Sequence, residues 1–130
     1  MDTEDHLPYY KDPDVPRFVT CGISRKLPDI VVGLLYWELY NYANDIRRAG
    51  GRVDYLTVIK IESKRINHGL CSYHYTMSQE STTVVKSDTK VLPVNKIFNG
   101  TIWAIETWNG NPRPKIPDEH YLMLLFPSEY

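Results

Sequence analysis

The period of the hydrophobic pattern changes once, at Gly50-Gly51, and that change governs most of what the chain can fold into. Before it, Leu27, Val31, Leu34, Leu35, Leu39, Tyr42 and Ile46 recur at helical steps and mark one face of an amphipathic helix. The helix is expected over residues 28–49. Pro28 suits a first helical position, Asp29 faces the positive end of the helix dipole, and the glycine pair stops the run. Glu38 falls inside the apolar stripe and therefore needs a partner or an edge position. Placing residues about 100° apart puts Tyr36, Tyr40 and Arg47 on the opposite face.

After the glycines the pattern alternates. Residues 53–62 (VDYLTVIKIE) set Tyr55, Thr57, Ile59 and Ile61 on one face and Leu56, Val58, Lys60 and Glu62 on the other. Both faces start apolar, as in a central strand covered by the helix. Asn67-His68-Gly69 is a turn signal, and residues 70–77 return as the partner strand. Residues 17–23 (RFVTCGI), 82–86, 90–94, 101–108 and 120–126 read as further strands, with Pro93 pointing to an edge. Residues 109–118, with three prolines, read as a rigid exposed loop. The expected fold is α+β: one long helix packed on a mainly antiparallel sheet of five or six strands.

At 130 residues, with 42% apolar and 24% charged side chains, the chain suits a single packed domain. Residues 1–16 hold five acids against Lys11, and three prolines, so they read as an extended acidic arm ahead of a domain over 17–130. The opening Met-Asp-Thr-Glu-Asp lacks the charged-then-apolar start of a signal peptide. No apolar run approaches the roughly 20 residues that span a bilayer. A cytoplasmic protein without membrane contact is expected, with Cys21 and Cys71 as free or metal-bound thiols.

Lys and Arg number 15 against 16 Asp and Glu, a net charge of -1. Proteins that grip nucleic acid through phosphates carry a basic excess, so no tight binding to free nucleic acid is expected. The one basic stretch, Arg47 to Arg65, faces Tyr73 and Tyr75 on the partner strand; basic side chains interleaved with aromatics can hold single strands. A solvated helix end and a charged sheet edge would give the same pattern. His68, Cys71 and His74 are the one close cluster of metal-ligand types and would suit zinc. Against that, no second pair follows at matching spacing, and Cys71 and His74 point to opposite faces of a regular strand. The plain alternative is a strand cysteine buried between two surface histidines. No nucleophile elbow, papain-like signature or phosphate-cradling glycine loop is present, so no enzyme is expected. Tyr36, Tyr40 and Arg47 are residue types that dominate protein–protein hot spots, and are the expected partner-binding residues; such a face equally suits a homodimer.

Three stretches carry a resemblance. They are Arg17-Phe-Val-Thr-Cys-Gly-Ile followed by Leu27-Pro28 and the Trp37-bearing helix, then Val53-Asp-Tyr-Leu-Thr-Val, and finally Tyr121-Leu-Met-Leu-Leu-Phe-Pro-Ser-Glu-Tyr. In order and spacing they resemble a family of small uncharacterised proteins of staphylococci, streptococci and their phages, over about residues 17–130. The resemblance implies a gene of a phage or mobile element, and a candidate anti-CRISPR protein. Such a protein would bind a type II CRISPR RNA-guided nuclease of the host and block DNA loading or cleavage. That role needs a rigid domain with aromatic and charged hot spots rather than catalysis. The alternative is a nucleic-acid-binding accessory or regulatory protein of a mobile element.

Overall fold

The computed structural model describes residues 17–107 and 121–130. The expected acidic arm 1–16, the proline loop 109–118, Trp108 and His120 lie outside the described residues. In chain order the elements are β1 (Arg17–Val19), α1 (Cys21–Lys26), α2 (Asp29–Arg48), β2 (Leu56–Asn67), β3 (Leu70–Ser78), β4 (Lys86–Leu92), β5 (Gly100–Thr107) and β6 (Tyr121–Leu125), then a 3-10 turn, Pro127–Glu129. The strands form one sheet in the order β1-β6-β5-β2-β3-β4. Every neighbouring pair is antiparallel except β1 with β6. The fold is α+β, with the one long helix packed against a six-stranded, mostly antiparallel sheet.

The helix lies where its stripe requires. Val31, Leu35, Leu39, Tyr42 and Ile46 are buried, and Ala43 extends the buried arc. They meet the inward row of the sheet: Ile59 and Ile61 of β2, Cys71, Tyr73, Tyr75 and Met77 of β3, Ile102 and Ala104 of β5, Leu122 and Leu124 of β6. Each fully buried aliphatic side chain contributes about 1.5–3 kcal/mol. Gly50 ends the helix with φ 80°, a conformation that disfavours any side chain, and its N–H bonds the Arg47 carbonyl at 2.9 Å. The β2–β3 hairpin turns at His68-Gly69, where Gly69 has φ 83°.

Two expected strands come out differently. The run at 17–23 is a strand only to Val19. The Thr20 hydroxyl accepts a hydrogen bond from the Ile23 N–H at 3.2 Å and so caps α1. That local bond outweighs the β-branched composition, and Ile23 reaches the core from a helix instead. The expected pair of short strands at 82–86 and 90–94 is a single strand, β4, running through Ser87-Asp88-Thr89. Its pairing with β3 sets Thr76 opposite Ser87 and His74 opposite Thr89, so polar partners carry the middle. β4 is the edge strand that Pro93 pointed to.

Glu38, inside the apolar stripe, has its partner. Lys86 of β4 places Nζ 3.5 Å from the Glu38 carboxylate and 3.6 Å from that of Asp45, tying the edge strand to the helix. Among the described residues no helix is long and apolar enough to cross a membrane.

Candidate functional site

The outward face of α2 is the first candidate. Trp37 is 61% exposed and stacks on Tyr40, with ring centroids 5.7 Å apart. Gly33 and Ile30 lie one and two turns toward the N-terminus on the same side; Ile30 is 45% exposed, and among the described residues nothing lies within 4 Å of where a Gly33 side chain would begin. Two large apolar side chains thus flank a notch in a solvent-facing helix.

Of the three residues expected there, Tyr40 fits that description. Tyr36 is turned toward β1: its hydroxyl donates to the Phe18 carbonyl at 2.5 Å, and the Arg17 guanidinium lies 5.7 Å from its ring centre. Burial pushes its hydroxyl well above the usual tyrosine range, with Arg17 pulling the other way. Arg47 donates from Nη1 to Asn44 Oδ1 at 3.2 Å, its Nε is enclosed, and its charge reaches buried Glu106 of β5. Ala43 and Leu39 widen the buried arc on this side, so Tyr36 and Arg47 flank it and Trp37 stands opposite. Counting Ala43 into the stripe is the signal that would have centred the face on Trp37.

The structure does not bring His68, Cys71 and His74 together. His68 is exposed in the hairpin turn. Cys71 is buried on the inner face, its thiol donating to the Val94 carbonyl at 3.1 Å. His74 lies on the outer face, with Nδ1 2.7 Å from Thr89 Oγ1 and Nε2 3.1 Å from Ser87 Oγ. Strand alternation separates the two as period two demands. Among the described residues no group of three or more His, Cys, Asp and Glu is placed to hold a metal ion.

Nor do Tyr73 and Tyr75 interleave with the basic stretch. Both point inward and are buried; the Tyr73 hydroxyl donates to the Lys96 carbonyl at 2.6 Å. The Tyr75 hydroxyl is enclosed near Glu38, and burial, then the Glu38 charge, raises its pKa. Glu106 is the most perturbed acid among the described residues: burial pushes it up to about 10, with Arg47 opposing.

A solved structure from Enterococcus faecalis, described as a protein of unknown function, matches this fold with a TM-score of 0.58. The match covers 92% of this chain and 93% of that one at 19% identity, and it carries the fold. No family model and no curated protein matches the chain.

Proposed function

We propose that the protein acts by binding, as a cytoplasmic inhibitor encoded by a phage or mobile element, and that its partner is a type II CRISPR RNA-guided nuclease. The observation that carries the binding surface is the Trp37–Tyr40 stack beside the Gly33 notch. Trp and Tyr supply large contact area with few rotatable bonds, and anchor interfaces for that reason. The choice of partner is supported by the resemblance of residues 17–130 to phage-associated proteins. Tyr36 and Arg47 support this surface from beneath, by holding β1 and the helix end.

A binding titration of the nuclease, loaded with its guide, against this protein tests the reading. The Trp37→Ala, Tyr40→Ala double variant keeps the buried stripe of α2, and should weaken binding by at least about 2 kcal/mol, the size of a hot spot. Equal affinity for the variant would move the contact off this face.

A further inference from the structure

Cations far apart in sequence meet at one end of the sheet. Residues 93–99 cross there from β4 to β5, and two adjoining grooves open along them. One, of about 610 Å³, is lined in part by Arg65 and Lys96. The other, of about 510 Å³, is lined in part by Arg25, Lys26 and Lys96. Ile97 borders both, and among the described residues no acid lines either.

All four cations are exposed, and none makes an ion pair among the described residues. The ion pairs there lie on α2 and β4 instead, away from the grooves. Charge is thus segregated within a chain of net charge -1.

The segment bearing the grooves is pinned, although it has no regular structure. Asn95 Oδ1 accepts from the Gly69 N–H and Asn99 Oδ1 from the Ser63 N–H, each at 2.7 Å. The Ser63 hydroxyl donates to the Phe98 carbonyl at 2.7 Å, and Tyr73 holds the Lys96 carbonyl. Two of the cations complete the frame: the Lys96 ammonium donates to the Arg25 carbonyl and the Arg65 guanidinium to that of Asn95. A fixed backbone presenting charges that make no ion pair among the described residues loses little entropy when an anionic chain docks.

We propose that this end of the molecule is a docking site for the phosphodiester backbone of a nucleic acid. The complementarity is of charge, and the adjoining grooves give a track for a chain of phosphates rather than a pocket for one. Four phosphate contacts make a weak site at physiological salt, with Kd on the order of 10⁻⁴–10⁻⁶ M. The site is separate from the outward face of α2 and independent of the nuclease reading.

Fluorescence anisotropy with a labelled single-stranded oligonucleotide of about 16 nucleotides, over a salt series, is the test. Affinity should fall with salt with a log–log slope of about −3, as expected for four contacts to a single strand. The Arg25→Gln, Lys26→Gln double variant should make that slope shallower by about 1 to 2. Arg52→Gln with Lys60→Gln, exposed cations that line neither groove, should leave it unchanged. Both double variants change exposed side chains, and matching melting curves would verify that their folds are intact. No salt-dependent binding at low salt, or equal losses in the two variants, would overturn the proposal.

Discussion

Glu106 is 2% exposed on the inner face of β5, opposite Leu122 of β6. Its carboxyl, ordinarily near 4.5, is pushed up to about 10 by burial. The folded protein therefore keeps a proton there that the unfolded chain releases across that window. Stability from this group is fully present below about pH 4.5 and is lost as pH rises toward about 10, by at most ~1.4 kcal/mol per unit. Glu106→Gln removes the ionisation. Denaturant unfolding at a series of pH values should show the variant with a flatter profile and, at mildly alkaline pH, greater stability than wild type. A wild-type profile that rises across the same range, with the variant parallel to it, would contradict this. Nothing in the run TIWAIETW distinguishes Glu106 from an outward strand residue; only the register with β6 shows that it faces the core. Glu38 was legible, because a helical stripe is long enough to expose a misfit within it.

At the scale of elements, α2 and the β2–β3 hairpin could be read before any coordinates, since their periods run for many residues and end at glycines. α1 and β4 could not. α1 depends on one capping hydroxyl inside a β-branched run, and β4 is an edge strand whose hydroxyl partners lie across β3 rather than in a buried row. The same limit displaced the outward face of α2: the tyrosine pattern pointed to Tyr36, while a hydrogen bond to β1 claims it. Gly33 offers a check on the outward face. An exposed glycine inside a helix is destabilising by about 0.5–1 kcal/mol relative to alanine. With no described residue within 4 Å, Gly33→Ala should raise stability by that amount in equilibrium unfolding. A loss of stability would mean that the site is not open. If a partner backbone enters the notch, the same methyl group should weaken binding while the fold gains.

At the scale of the whole molecule, pairing across the sheet does what local pattern cannot. Placing β5 and β6 beyond β2, with β1 parallel at the far edge, requires the crossing segment 93–99, and that segment gathers Arg25, Lys26, Arg65 and Lys96. The near-neutral net charge concealed this, because a sum over the chain carries no positions. The molecule thus presents two surfaces of different character, an aromatic helix face and a cationic end. The aromatic helix face carries the proposed function, and a cleavage assay probes it most directly. Target-DNA cleavage by guide-loaded type II nucleases is followed while this protein is added up to tenfold excess, alongside the Trp37→Ala, Tyr40→Ala variant. Inhibition that rises with wild-type protein and is lost in the variant is the predicted result; cleavage untouched by wild-type protein across several related nucleases would contradict it.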